Sequence, residues 1–493
     1  MSVKSAVVFT YFAIVTILAV YGLHRCYMVY LYKKYRERVP SPKSHFKELP
    51  RVTIQLPIYN ELYVVERLLD AIAAIDYPRD RLEVQVLDDS TDETRAVAER
   101  KAEEIRRQGL DVVYRHRENR AGFKAGALAE GLEIAKGEFI AIFDADFLPT
   151  RYIIHQTIHF FTDPDVGMVQ TRWGHINRDY SLLTQVQSIL LDGHFAIEHT
   201  ARNRSGRFFN FNGTAGVWRR ATIESSGGWQ HDTLTEDLDL SYRAQMKGWR
   251  FVFLPDIVSP AEVPVEMNAF KSQQHRWAKG SIQTCKKVLP AIWRSDLALK
   301  VKVEATFHLT SNFAYLLMVL MSLLMLPAIL YRVQKEARIE AFAFDMSLFL
   351  AASVSVIYFY IVSQKEIDPN WVDRLKYLPF LTSVGIGLSI NNAKAVLEAM
   401  LGHDTPFKRT PKYNVSRFTD EWKNKKYAGI RSKLPFFELT LGAYFAIIVA
   451  VALWHGLLVS SLFLCLFLVG FTYVGCLSLF QRRGRLPSLE RAV

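Results

Sequence analysis

Long apolar runs at both ends of the chain, with a mixed charged and apolar stretch between them, restrict it to a membrane protein that carries a globular domain. Residues 6–31 are apolar and aromatic, and a bilayer crossing takes about 20 such residues. The run is too long for a signal-peptide core, and no small-residue cleavage site follows it. Lys33, Lys34, Arg36, Arg38, Lys43 and Lys47 come next, against Lys4 alone before it. The positive-inside rule therefore puts the N-terminus outside and the chain from about residue 33 in the cytoplasm. Further spans are expected at residues 308–331, 345–362, 436–451 and 457–480.

The apolar segment 377–400 decides the parity of the spans. It carries Ser389, Asn391, Asn392, Lys394 and Glu398. If it crossed, Lys408, Arg409, Lys412, Arg417, Lys423, Lys425, Lys426, Arg431 and Lys433 would all face outside, and Arg482, Arg483 and Arg485 would follow on the wrong side. The rule thus places it in the interface and predicts five spans, one N-terminal and four C-terminal. Arg332, Lys335 and Arg338 stay outside against the rule. The formal net charge of +12 is read chiefly as these basic flanks. No basic and aromatic platform for nucleic acid stands out. Cys26, Cys285, Cys465 and Cys476 are scattered and suggest neither a disulfide framework nor a zinc site. His155 and His159 share a helical face but have no third ligand, so they read as a packed pair.

Between the spans, strands and helices alternate. Val52, Ile54 and Leu56 alternate with Thr53 and Gln55 as in a strand; residues 61–75 read as a helix, 82–87 as a strand, 91–108 as a charged helix and 112–114 as a short strand. Residues 120–126 lead into a helix through Ala135. The pattern predicts a parallel sheet with right-handed crossovers. Phe139-Ile140-Ala141-Ile142-Phe143 is a buried strand that stops at Asp144 and Asp146. Ligands of open α/β sheets bind beyond the carboxyl ends of strands, and two carboxylates there suit Mg²⁺ or Mn²⁺ carrying substrate phosphates. Alone, the same pair also suits a solvated turn. Thr235 is placed to cap a helix that begins Glu236-Asp237. Residues 267–292 form an amphipathic helix fit for the membrane interface, with Gln273, Arg276 and Trp277 on it.

Asp88-Asp89, Asp144-Ala145-Asp146, Thr235-Glu236-Asp237 and Gln273-Gln274-His275-Arg276-Trp277 together resemble the D, D-x-D, T-E-D, Q-x-x-R-W series of the processive family 2 glycosyltransferases, the cellulose synthase superfamily. The likeness covers roughly residues 50–295, and its wording is closest to the cellulose synthase-like mannan and xyloglucan-backbone synthases. It implies a GT-A, Rossmann-like α/β domain joined to an α-helical membrane region. The chain divides into an N-terminal transmembrane helix (1–32), a cytosolic catalytic domain (33–266), an interface helix (267–300) and a C-terminal membrane region (301–493). That last region holds the interfacial segment 377–400 and a gating-like loop, 402–433.

The resemblance also implies roles. Asp146 with Asp144 would hold Mg²⁺ or Mn²⁺ against a diphosphate. Asp88 and Asp89 would bind the nucleoside, with Pro57, Tyr59 and Glu61 completing its pocket. Lys124, Gln273 and Arg276 would approach the diphosphate; a cation at a loop-to-helix junction suits phosphate on its own account. Asp237 would be the general base, with Glu236 and Asp239 as rivals on sequence alone. Trp277 would stack under the acceptor, whose end Phe211, Asn212, Gly213 and Thr214 would line. Phe407, Thr410 and Lys412 resemble the gating loop.

The function expected is inverting, processive β-glycosyl transfer from UDP-glucose or GDP-mannose into a β-linked glucan or mannan, with export through the spans. Single-sugar transfer to a lipid, as in ceramide glucosyltransferases, is the alternative enzyme; a transporter with a degenerate domain is the rival from another class. The expected location is a bacterial inner membrane with the catalytic domain cytoplasmic, or a Golgi membrane in a eukaryote.

Overall fold

The computed structural model describes residues 3–334, 339–403, 405, 409–430 and 432–481. Phe407, Lys408, Arg431 and the Arg482, Arg483 and Arg485 tail lie outside the described residues, as does the centre of the expected outer loop. The soluble domain is built on one seven-stranded sheet. Its strands are β1 (Val52–Ile58), β2 (Leu82–Asp88), β3 (Asp111–His116), β4 (Phe139–Ile142), β5 (Val166–His175), β6 (Gly216–Arg219) and β7 (Arg250–Ala261), in the order β3-β2-β1-β4-β6-β5-β7.

Strands β3, β2, β1 and β4 run parallel, as the strand and helix alternation predicts. The purely parallel sheet expected is corrected at β6, which pairs antiparallel with both β4 and β5. Four residues around a buried Trp218 are too few to show a period of two, which is why β6 escapes a periodicity reading. The sheet is therefore mixed.

The alternation in β1 suggests a half-wet strand, yet both of its faces are buried. Its polar residues pair across the ladder: Thr53 donates to Glu83 at 2.6 Å and Gln55 to Gln85 at 3.0 Å, each in direct register, while Gln55 Oε1 and Gln85 Nε2 have no hydrogen-bond partner. Such pairing offsets part of the cost of burying polar groups. The helix Phe123–Ile134 lies over these pairs, and Gly131 lets it approach: a Cβ there would come within 2.6 Å of Gln55 Nε2.

Four helices among the described residues are long and apolar enough to cross a membrane: Ala6–Tyr35, Phe313–Leu330, Leu434–Trp454 and Leu458–Phe480. The chain is a multi-pass membrane protein. The remaining expected span falls on the helix Ile339–Ile367, whose first side chains lie outside the described residues. Segment 377–400 breaks at Leu388 into Leu378–Gly387, 10 residues, and Ser389–Leu401, 13 residues. Each is shorter than the roughly 20 residues a crossing needs. The first half packs on the last span, where Gly387 and Gly470 meet backbone to backbone. The second packs on the helix Met267–Arg294, where His275 lies 3.0 Å from Glu398. A buried pair of Lys271 with Glu438 joins that same helix to the span Leu434–Trp454.

Candidate functional site

A cavity lies across the carboxyl ends of β1, β2 and β4, the position expected for a ligand in an open α/β sheet. Elements far apart in sequence supply its walls. Pro57, Tyr59 and Glu61 come from the end of β1, Asp89 from the end of β2 and Lys124 from a helix start. Asp144 and Asp146 follow β4, Asn212 and Gly213 precede β6, and Asp237 stands in the first turn of Glu236–Met246. Gln273, Arg276 and Trp277 reach in from the helix Met267–Arg294, and Thr410 and Lys412 from the loop beyond.

The Asp144 turn is fixed from several sides. Its backbone N–H donates to Thr214 Oγ1 at 2.8 Å. Lys124 Nζ donates to Asp144 Oδ1 at 2.5 Å and to the Gly213 carbonyl at 2.8 Å. Lys412 forms an ion pair with Asp146, and Arg409 Nη1 lies 3.0 Å from Glu61 Oε2. Asp237 sits against Gly213, whose φ of 80° is left-handed and where a Cβ would come within 2.9 Å of Asp237 Oδ2. Only glycine serves such a position without strain.

The helix Met267–Arg294 is locked onto the Thr235 loop. Leu234 N–H donates to Gln283 Oε1 at 2.9 Å, and Gly280 admits Thr235 so closely that a Cβ would meet its side chain at 2.5 Å. Thr235 stands at the N-cap as expected, but its side chain makes no cap bond, and its hydroxyl lies 3.3 Å from Thr284 Oγ1 instead. The docking sets Arg276 and Trp277 in the same cavity as Asp237.

Burial dominates the electrostatics. It pushes the Asp237 carboxyl up to about 7, with Glu236 adding to the effect and Lys124 opposing it. It pushes Glu61 up to about 8 against the pull of Arg409. Burial works against the Lys124 ammonium, but Asp144 and Glu236 outweigh it, so Lys124 titrates above the usual lysine range. The same balance, with Asp146 as partner, raises Lys412. The site thus pairs acids poised near neutrality with firmly charged lysines.

Three sequence-predicted residues do not line the cavity. Asp88 turns the other way from Asp89, accepting from Ser90 N–H at 2.9 Å and Tyr114 Oη at 2.7 Å. Adjacent residues at a strand end point to opposite faces, so only one of the pair can face the ligand. Phe211 is buried edge-on to Trp218, 5.5 Å between centroids. Thr214 is buried and holds the Asp144 turn from behind. Phe407 lies outside the described residues.

The structure also brings in residues that no sequence pattern singled out. Arg117 grips Asp89 through two bonds of 2.7 Å. The Arg120 guanidinium carbon lies over the Tyr59 ring, 3.3 Å from its centroid. Trp173, His175 and Glu262 form further wall. His194 and His199 hold the Asn212 amide, at 3.0 and 2.6 Å. The one available signal was Arg120's place in a Gly-containing loop beside Lys124; nothing local marks the others. Among the described residues, no group of three or more His, Cys, Asp or Glu side chains forms a ready-made metal site.

Residues 50–280 match the family described as glycosyltransferase like family 2. The chain is 40% identical over 289 residues to glucomannan 4-beta-mannosyltransferase 1 of Oryza sativa subsp. japonica, covering 57% of this chain and 55% of that protein. It is 41% identical over 267 residues to glucomannan 4-beta-mannosyltransferase 1 of Cyamopsis tetragonoloba, covering 53% and 51%. The matched region spans about half the length of these curated relatives. Among solved structures, the mannosyltransferase PcManGT from Pyrobaculum calidifontis, in complex with GDP-Man and Mn²⁺, aligns with a TM-score of 0.53 at 23% identity, covering 81% of this chain and all of that one. That likeness establishes the fold.

Proposed function

We propose, on the match of residues 50–280 to the family described as glycosyltransferase like family 2, that this membrane protein is an inverting glycosyltransferase that extends a β-linked polysaccharide from a nucleotide sugar, GDP-mannose or UDP-glucose. The observation that carries the reading is convergence. Asp89, Asp144, Asp146, Asp237, Arg276 and Trp277, drawn from four separate stretches of chain, line one cavity. The glucomannan mannosyltransferase relatives favour a β-1,4-linked mannan or glucomannan product.

The donor set fits a hard divalent cation. Asp144 and Asp146 present carboxylate oxygens from one turn, and Mg²⁺ or Mn²⁺ in such sites takes one or two carboxylates plus phosphate and water oxygens, so a third protein ligand is not required. Asp146 with Asp144 would hold the ion, which would neutralise charge on the departing diphosphate. Lys124, Gln273 and Arg276 would bind the phosphates from the other sides. Tyr59 and Asp89 would hold the nucleoside, and Trp277 would carry the acceptor ring on its face.

In the reaction, an acceptor hydroxyl oxygen attacks the anomeric carbon, the bond from that carbon to the diphosphate oxygen breaks, and the hydroxyl proton passes to Asp237. A base with a pKa of about 7 is matched to that task at neutral pH. One displacement inverts the anomeric configuration.

The test is transfer by the purified full chain, in lipid nanodiscs, from a panel of nucleotide sugars with Mg²⁺ or Mn²⁺. A lengthening polysaccharide from one donor supports the proposal. A single-sugar glycolipid as sole product contradicts polymerisation, and no transfer from any donor contradicts the whole reading.

A further inference from the structure

Three consecutive residues hold the reacting groups of the cavity in place. Gly213 packs against Asp237, and its carbonyl accepts from Lys124 Nζ at 2.8 Å. Thr214 Oγ1 accepts from the Asp144 N–H at 2.8 Å. Asn212 precedes them and lines the same cavity, its backbone N–H donating to Gln170 Oε1 at 3.0 Å. Its side chain is bound at both ends by imidazoles. Oδ1 lies 2.6 Å from His199 Nε2, and Nδ2 lies 3.0 Å from His194 Nε2. Neither histidine lines the cavity, so each acts on it only through Asn212.

A local change of helix type brings the two histidines together. Leu182–Asp192 is α-helical, Gly193–His199 is a π-helical turn, and Thr200–Arg204 is α-helical again. Residues five apart on an α-helix point about 140° away from each other. The wider π turn repeats from i to i+5, so His194 and His199 come onto one face, with 4.3 Å between ring centroids. Such turns are rare and occur frequently at functional sites.

The bonds also fix the protons. A carboxylate only accepts, and Glu198 Oε2 lies 3.1 Å from His194 Nδ1, so that nitrogen carries a proton. Burial works against the Glu198 carboxylate, but Arg202 and His194 outweigh it and hold it well below the usual carboxylate range. The Nε2 of a neutral His194 is then an acceptor and takes the Asn212 Nδ2–H. Asn212 Oδ1 is left toward His199, whose Nε2 must carry the proton. The bare nitrogen of His199 is Nδ1, which is buried with no hydrogen-bond partner. Burial holds this imidazole well below the usual histidine range and so neutral. The Asn212 amide has one orientation, because its flip would set a carbonyl against the bare Nε2 of His194.

We propose that His194 and His199 are positioning residues for glycosyl transfer: they clamp the Asn212 side chain in one orientation and, through it, hold Gly213 between Lys124 and Asp237. The proposal rests on the glycosyltransferase reading above. Gly213 spaces the base from the cation beside the diphosphate, so loosening the clamp slows the chemical step more than it weakens nucleotide binding.

The experiment compares His199→Leu and His199→Gln in the full chain in lipid nanodiscs, by initial rates with the nucleotide sugar that the wild type uses. His199→Leu removes the donor to Asn212 Oδ1. It should lower kcat about ten- to a hundredfold, the scale of a small misplacement at a reacting centre, and leave KM for nucleotide sugar within about twofold. His199→Gln keeps an N–H that can reach the same oxygen and should return kcat to within about threefold of wild type. Histidine ¹⁵N NMR of the wild type should show the proton on Nδ1 of His194 and on Nε2 of His199. Melting temperature is the control for folding; where a variant melts below the assay temperature, the tautomers decide. Wild-type kcat in His199→Leu, equal losses in the two folded variants, or the opposite tautomers overturn the clamp and spare the parent reading. Wild-type protein that transfers no sugar overturns the parent reading itself, and the positioning role with it.

Discussion

Lys412 and Asp146 form an ion pair although 266 residues separate them. The lysine comes from the loop after the interface helices and sits on a carboxylate proposed to bind a divalent cation. A cation arriving alone must displace it. Lys412→Met is therefore expected to bind Mn²⁺ about tenfold more tightly in the absence of nucleotide, the scale of one charge-assisted hydrogen bond. Mn²⁺ titration followed by electron paramagnetic resonance measures this, and unchanged affinity would contradict it.

The Asp237 carboxyl near 7 gives a pH profile. The base form is the deprotonated one, so kcat/KM should fall as pH drops below about 7 and level off above it. Asp237→Asn should lower kcat by about 10²- to 10⁴-fold. Stability should move the other way. A carboxyl whose folded pKa is raised binds more protons folded than unfolded, so its contribution to stability declines as pH rises from about 4 through about 7. At pH 8, Asp237→Asn should melt no lower than wild type, which separates lost chemistry from lost folding.

Gly213 combines a positive φ with contact to Asp237. Gly213→Ala should cost about 1–2 kcal/mol of stability from backbone strain. It should also lower kcat more than tenfold, because the new methyl displaces the Asp237 carboxylate. Chemical denaturation and initial rates test the two parts separately.

Arg117 and Asp89 are 6% and 5% exposed and bonded at both oxygens. Removing one partner strands a buried charge, so Arg117→Met should destabilise the domain by about 3 kcal/mol or more. Arg117→Met with Asp89→Asn should recover much of that loss, measured as a double-mutant cycle in denaturant.

Asp144 and Asp146 were legible in the sequence as the acids that end a buried strand, whereas Asp237 and Trp277 were singled out by the family resemblance, since an acidic helix start leaves Glu236 and Asp239 as equals and an amphipathic helix leaves the tryptophan an interface anchor. Asp88 and Asp89 show where such patterns stop. They are chemically equivalent neighbours, and only the strand's two faces decide that one meets the cavity and the other Tyr114. Phe211 and Thr214 fail for the same reason, flanking Asn212 and Gly213 but facing inward. The grip of Arg117 on Asp89 and of Arg409 on Glu61 depends on which acids distant loops meet. No local spacing encodes that. The break at Leu388 falls where an apolar half gives way to one carrying Ser389, Asn391, Asn392, Lys394 and Glu398, a change that signals a segment unfit to span but does not by itself mark where the helix breaks.

The most direct test of a single cavity is an experimental density map of the full chain with GDP or UDP and Mn²⁺. The account predicts one diphosphate between Asp144, Asp146, Lys124 and Arg276, with its nucleoside against Tyr59 and its open side toward Asp237 and Trp277. Nucleotide density in a different hollow, or against Asp146 with Asp237 and Trp277 facing elsewhere, would contradict it.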